Sequence, residues 1–293
     1  MTDITLPASS GRRQPVRRWT TQTLRRYPAA SLGASLLVAI IAVGVLAPVL
    51  WTVDPEAVSP IHRLRAPSSE FWFGTDMLGR DVWSRTLYGA RVSVIVGLMV
   101  AVLSTVFGLA IGLLTGFLKW ADAVLMRVMD GLMSIPSILL AIALVALTKP
   151  SIQNVIIALT VIETPRVARL VRGTVLTLRD QPFVEAAITV GTTTPLILMR
   201  HILPNTIAPL LVQATYVCGA AMIAEALLSF IGAGTPPSIP SWGNIISEAR
   251  SFFQIAWWII VFPGIFLSLT VLAVNLFGDG ISAALDPRLA RRM

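Results

Sequence analysis

An all-α membrane protein is the fold class this sequence predicts, and three observations predict it. Hydrophobic residues make up 55% of the 293 residues and charged residues only 13%, against about 25% charged in an ordinary globular chain. The mean hydropathy is +0.77. Several uncharged runs reach the roughly 20 apolar residues that a helix needs to cross the hydrocarbon core. The single cysteine, Cys218, excludes an intrachain disulfide framework and any Cys-rich metal centre. Two histidines, His62 and His201, cannot build a His-rich metal cage.

Residues 1–28 form an Arg-rich tail in which Pro7, Pro15 and Pro28 interrupt regular structure, and the tail reads as a partner of anionic membrane lipid. Ala29 to Val53 carries no charge and is the first span. Its apolar run exceeds the 7–15 residues of a signal-peptide core and no small-residue cleavage site follows, so it reads as a retained helix. With the loop to Arg91 it makes a unit over residues 29–91. Val92–Leu118 is the second span, and Gly131–Thr148 the third, with a kink or late start at Pro136. Ile152–Ile162, continued by Val167–Val171, is the fourth. Thr206–Ile231 and Ile255–Phe277 complete a set of six.

Lysine and arginine set the orientation. Arg12, Arg13, Arg17, Arg18, Arg25 and Arg26, together with Arg166, Arg169, Arg172, Arg179 and Arg200, lie on the side of the N-terminus and outweigh the basic residues opposite. That places both termini in the cytoplasm, and it assigns the formal charge of +8 to membrane topology instead of nucleic-acid binding. Trp51, Trp242, Trp257 and Trp258 fall near the outer interface, Trp19 and Trp120 near the inner one.

In the outer loop, Asp76–Arg80 and Asp81–Arg85 are opposite charges at i, i+4, the spacing of ion pairs along a helix face. A salt-bridged interfacial helix leading into the second span is expected there, or a contact with another subunit. Residues 163–205 form a long polar-side loop, a length that signals function. It contains Glu185-Ala186-Ala187-Ile-Thr-Val-Gly191, nine further residues, and His201-Ile-Leu203-Pro204-Asn205. This pattern predicts two short helices hinged at Gly191, the second stopped by Pro204. Ala186 and Ala187 leave a shallow surface for another protein, and Glu185 offers an acceptor for a partner's Arg or Lys.

Glu225 is the one ionisable residue well inside an expected span, which marks it either as a structural hydrogen-bonding group or as a lining of a solute path. Pro236, Pro237, Pro240, Trp242 and Gly243 read as a stiff outer loop with an aromatic tip, an interfacial anchor. Asn275 and Asp279 are expected to end the sixth span, where Gly278 and Gly280 loosen the helix. No G-x₄-G-K-[ST], H-E-x-x-H or G-x-S-x-G sequence occurs, and no catalytic constellation is visible. A secondary transporter or channel remains as an alternative, but neither inverted repeats nor paired intramembrane charges are found. A membrane-embedded enzyme would need several polar residues at one depth, and Glu225 stands alone.

The Glu185–Asn205 pattern resembles the EAA coupling loop of bacterial ATP-binding-cassette (ABC) importer permeases. Arg200-His-Ile-Leu-Pro-Asn205 narrows the likeness to the dipeptide/oligopeptide/nickel branch. Three further stretches resemble the second (DppC/OppC-like) permease of that branch. They are Gly74-Thr-Asp76 through Gly79-Arg80-Asp81 with Tyr88-Gly-Ala-Arg91, Leu228-Ser-Phe-Ile-Gly232 through Pro240-Ser-Trp242-Gly243, and Asn275-Leu-Phe-Gly-Asp-Gly280 with Leu285-Asp-Pro-Arg288.

The resemblance implies an ABC type I permease core over residues 92–288, with cytoplasmic tails at 1–28 and 289–293, in a bacterial inner membrane. It implies a second homologous permease, two ABC ATPase subunits that dock on the 163–205 loop, and an external solute-binding protein. No cofactor or metal would belong to this chain, and ATP and Mg would be bound by the ATPases. It also implies import by alternating access, with Glu225, Pro240, Trp242 and Gly243 at a path or gate. Asp76, Gly79, Arg80, Asp81, Arg85 and Arg91 would form an external interface motif.

Overall fold

Apolar runs become helices here because a backbone without water must satisfy its own hydrogen bonds. The computed structural model describes residues 28–285, so the expectations for the N-terminal tail before Pro28, for Leu285-Asp-Pro-Arg288 beyond Leu285 and for residues 289–293 lie outside the described residues. Helix α1 spans Pro28–Leu46 and runs into a 3₁₀ turn at Ala47–Val49. Helix α2, Val82–Phe117, is 36 residues long, about 54 Å at 1.5 Å per residue. It starts well before the expected Val92, so Arg85 and Arg91 stand on the same helix as the second span, and the boundary between residues 91 and 92 falls inside it. Asp81 is its N-cap: the carboxylate accepts from the Ser84 N–H at 2.9 Å.

After Phe117 the chain passes through a π-turn at Asp122–Met126 into α3 (Arg127–Ser134) and α4 (Ser137–Ala146). The expected kink at Pro136 is a break, with the two helices bent by 94°. Pro136 pushes the preceding Ile135 to extended backbone, φ −90° and ψ 131°, which ends α3. Helix α5, Ile152–Arg179, continues unbroken through Pro165. Residues 163–179 therefore belong to this helix and not to a loop, which corrects the expected start of the 163–205 segment. Helices α6 (Pro182–Thr189), α7 (Leu203–Ile231), α8 (Trp242–Glu248) and α9 (Trp258–Leu285) follow. Among the described residues only an isolated bridge, Thr75 to Asp81, stands in for strand pairing.

By length and composition four stretches can cross a membrane: Pro28–Val49, Val82–Phe117, Thr194–Ile231 and Trp258–Ala284. The bent pair Lys119–Ser134 and Ser137–Ala146 makes a fifth if it counts as one span. The remaining expected span, α5, is long enough to cross, but Glu163, Arg166 and Arg169 interrupt its apolar character.

Close approach between helices is built from glycine. A Cβ at Gly108, Gly112 or Gly116 on α2 would lie 2.5 Å from the Cβ of Val167, Val171 or Val175 on α5. Those valines and Val96, Val100, Leu159, Val217 and Leu228 form one buried core. The same device joins α9 to its neighbours: Gly280 lies under Ala30 of α1, and Gly278 faces Thr215 of α7. Gly278 and Gly280 thus sit inside α9 and permit contact; the helix does not end at Asn275 or Asp279 but continues to Leu285.

Gly112→Ala should therefore overpack the α2–α5 contact by about 1–3 kcal/mol and lower the thermal midpoint in detergent, with Val171→Ala in the same chain restoring part of the loss. An unchanged midpoint for Gly112→Ala would show that the two helices stand further apart.

Candidate functional site

The segment between α5 and α7 is anchored on one side and bare on the other. Val184, Ile197 and Ile202 are buried in the core shared by α2, α5 and α7. Phe183, Ile188, Val190, Leu196 and Met199 are exposed, Val190 at 85%. Around them stand Glu185 and Ala186, both exposed, and the half-buried Ala187. The turn after α6 is a Schellman cap: Gly191 N–H donates to the Ile188 carbonyl at 2.9 Å and Thr192 N–H to the Ala187 carbonyl at 3.0 Å. Gly191 itself has φ +84°, so the expected hinge position is one that glycine serves best.

Pro204 does not stop a helix. The chain winds from Thr194–Ile197 through a π-turn at Leu198–Ile202 straight into α7, and Pro204 occupies the first turn of that helix, where a missing N–H costs nothing. Leu203 is half-buried at the helix start, and Pro204 is exposed. His201 lies half-buried, its ring 6.3 Å from that of Phe183. The exposed Asn205 donates its side-chain N–H to the His201 carbonyl at 2.6 Å. What this arrangement offers is an apolar patch with one carboxylate and no reactive group, the chemistry of a protein contact.

At the other end of α2 the charged residues of the 54–91 loop cluster together, in a different pairing from the expected one. Asp76 accepts from Arg80 Nε at 2.6 Å and from Arg85 Nη1 at 2.6 Å. Glu248, on α8, accepts from Arg85 Nη1 at 2.6 Å and also from Arg80. Arg80 lies in a loop and not on a helix face, and Arg85 pairs with Asp76 and Glu248 instead of Asp81, which is committed to capping. Gly79, at φ +74°, passes beneath the Ser59 carbonyl, where a Cβ would lie 1.8 Å from the oxygen. Arg91 donates to the carbonyls of Gly44 at 2.5 Å and Val45 at 2.9 Å and stacks 5.1 Å from the Tyr88 ring. This group therefore fastens α1, α2 and α8 to one another. Glu248 had no local signal, being 163 residues from Arg85 in sequence.

Glu225 is fully buried. One carboxylate oxygen, Oε1, accepts from the hydroxyls of Ser229 and Ser241, both at 2.9 Å, and of Thr235 at 3.4 Å. Asn244 ties the same loop by donating to Thr235 Oγ1 at 2.8 Å and to the Pro236 carbonyl at 2.9 Å. Trp242 is 0% exposed, packs on Gly89, and donates its indole N–H to the Thr86 carbonyl at 3.0 Å. The expected aromatic tip is thus a core residue, and Trp258 likewise is buried with its N–H on the Thr75 carbonyl at 3.2 Å. Pro240 is half-buried, and a Cβ at Gly243 would meet Ala226 Cα at 2.6 Å. Glu225, Pro240, Trp242 and Gly243 lie together, folding the 232–243 loop onto α7 and α2.

Two features had no sequence signal. An apolar groove of about 430 Å³ runs between Leu103, Phe107, Ile111, Met129, Leu132, Ile157 and Val161. Beside it Arg172 donates to both oxygens of Asp122, at 2.5 and 2.8 Å, and Arg169 to Asp130 at 2.7 Å, tying the bent pair to α5.

Residues 94–291 match the family model described as the inner membrane component of binding-protein-dependent transport systems. The chain is 50% identical to a probable peptide ABC transporter permease protein of Sinorhizobium fredii over 99% of both chains. It is 40% identical to the dipeptide transport system permease protein DppC of Alkalihalophilus pseudofirmus, over 91% of this chain and 88% of that one. It is also 40% identical to the glutathione transport system permease protein GsiD of Pectobacterium atrosepticum, over 94% and 92%. Among solved structures, the MetNI methionine ABC transporter in an inward-facing conformation matches at TM-score 0.53 and 25% identity, covering 66% of this chain and 94% of that one.

Removing Arg85 takes away the buried partner of Asp76 and Glu248 and leaves both to Arg80 alone, whereas removing Asp81 costs only a helix cap. Arg85→Ala should lower stability by about 3–5 kcal/mol and Asp81→Ala by about 1 kcal/mol, read as thermal midpoints of the protein in detergent. Equal small effects would mean that the cluster is solvated.

Proposed function

The chain belongs to the family of binding-protein-dependent transport inner membrane components and is a permease subunit of an ABC importer, and from that premise we propose that it forms half of a path for peptides or solutes of similar size. The relatives named for peptide, dipeptide and glutathione transport support that cargo class. A second, homologous permease completes the path, and the apolar groove between α2, α3 and α5 suits either a lining or that partner's helix.

The observation that carries the mechanism is the exposed apolar surface at Phe183, Ile188, Val190, Leu196 and Met199 around Glu185. An ABC ATPase grips this surface on the cytoplasmic side, its basic groups reaching Glu185, and ATP with Mg is bound and hydrolysed there and not on this chain. The basic residues Arg166, Arg169, Arg172, Arg179 and Arg200 near this surface support this orientation, with both termini cytoplasmic. The layer containing Asp76, Arg80 and Glu248 then faces outward, where a solute-binding protein delivers cargo.

Coupling follows from the anchoring. When the ATPases close, the surface shifts; Val184, Ile197 and Ile202 are packed in the bundle core, so α5 and α7 shift with it. Gly191 lets the surface turn without a side chain in the partner's way, since nothing lies within 4 Å of a Cβ there. The path alternates between openings as the two permeases rock.

Glu185→Lys and Gly191→Val should each lower substrate-stimulated ATP hydrolysis of the assembled transporter by about tenfold, the scale of one lost charge-assisted contact, with membrane insertion unchanged. Stimulation at the unsubstituted level in both variants would sink the lever assignment.

A further inference from the structure

Where α1 ends, the outer layer forms a pocket that the transport reading does not use. Trp51, Val53, Glu70, Phe71, Trp72, Asp81 and Trp83 enclose about 380 Å³. The indoles are set edge to face: Trp51 to Trp72 at 6.2 Å and Trp72 to Trp83 at 5.0 Å between ring centroids. Trp83 is fixed by its N–H on the Leu50 carbonyl at 3.1 Å and by Phe73 packed edge-on at 4.8 Å. Val53 N–H donates to Ser84 Oγ at 2.9 Å, which pins the segment that carries Trp51 to the start of α2. Trp51 has φ +48°, a backbone conformation costly for a bulky residue, and its side chain is 86% exposed.

A side chain held in a strained conformation and yet exposed is not explained by core packing. Three indoles packed edge to face line the pocket, together with the carboxylates of Glu70 and Asp81. Arg65 reaches Glu70 only at 3.8 Å with both side chains exposed, and among the described residues no cation stacks on Trp51, Trp72 or Trp83. Indoles beside the exposed carboxylate of Glu70, which Arg65 approaches only at 3.8 Å while Asp81 caps α2, match a positive organic group: electrostatic attraction to the ring quadrupole needs a cation that sheds water easily.

We infer that this pocket binds an organic ammonium group. The amine-bearing headgroup of a lipid is one source, because Trp51 follows directly on the span that ends at Val49, at the level where headgroups lie. A free ammonium solute is the other. Neither source requires the coupling mechanism.

The full protein, extracted with its partners into nanodiscs of equal parts phosphatidylcholine, phosphatidylethanolamine and phosphatidylglycerol, tests it by native mass spectrometry of retained lipid. A parallel titration uses tetramethylammonium chloride against sodium chloride at equal ionic strength. A lipid ligand should appear as about tenfold enrichment of amine-bearing lipid over phosphatidylglycerol, reduced to near parity by Trp72→Ala and by Glu70→Gln. Glu70→Gln keeps size and packing, so its effect is not one of misfolding. Tetramethylammonium binding lost in both variants, without lipid enrichment, would assign the pocket to a free solute. If neither probe distinguishes the unsubstituted protein from these variants, the pocket is not an ammonium site.

Discussion

The spacing between α2 and α5 is the constraint on which the other contacts depend. Gly108, Gly112 and Gly116 recur at i, i+4 along one face of α2, each under a valine of α5 at the same interval. In a lipid environment helices gain little from hydrophobicity when they associate, so van der Waals contact at close range must supply the attraction. Three glycine–valine steps in register supply it over about two turns. They also explain why α5 stays helical through Pro165 and through its charged residues: one face is held to α2 while Arg166, Arg169 and Arg172 lie away from that face.

Each end of α2 then receives a different kind of fastening. At its start, Arg85 bridges Asp76 and Glu248, and Trp242 fills the space above Gly89, so α8 and the loop around Glu225 are locked to it. Toward its other end, Val175 of α5 leads to Val184, Ile197 and Ile202, which continue the same core into the exposed 182–205 surface. That surface is therefore joined to the bundle through buried side chains, and the charged cluster at the far end ties α2 to α8.

What the sequence made legible follows from what is local. Charge-free runs mark α1, α2, α7 and α9 because burial of a charge in lipid is costly whatever the tertiary fold. Gly191 was legible because a positive φ is a property of one residue. The partners of Arg85 were not, since Asp81 at i, i+4 is the nearest acid in sequence while buried Asp76 lies across a loop and half-buried Glu248 comes from another helix. Trp242 misled for a related reason: an aromatic beside prolines suits an exposed tip, and only the bare backbone of Gly89 on a distant helix makes room to bury it. Pro204 was misjudged because a proline that ends one helix and a proline that begins the next look alike, and the π-turn that joins them has no sequence signature.

The two halves of the bent pair α3–α4 are attached differently. Ala141 and Val145 bury α4 in the main core, whereas α3 and the turn before it are held to α5 by the exposed pair Arg169–Asp130, the half-buried pair Arg172–Asp122 and a small contact of Met126 and Met129 with Ala168. Exposed ion pairs contribute only about 0–1 kcal/mol each, and methionine packs without demanding one geometry. No glycine of the pair is pressed by a neighbour: a Cβ at Gly131 would meet nothing within 4 Å. The helices that line the apolar groove on one side are thus glued by buried, shape-matched contacts, and on the other by weak and adaptable ones. The weakest joint of the groove is thus its α3 wall, because beyond the 94° bend α4 is anchored in the core, while α3 has ion pairs and two methionines to hold it.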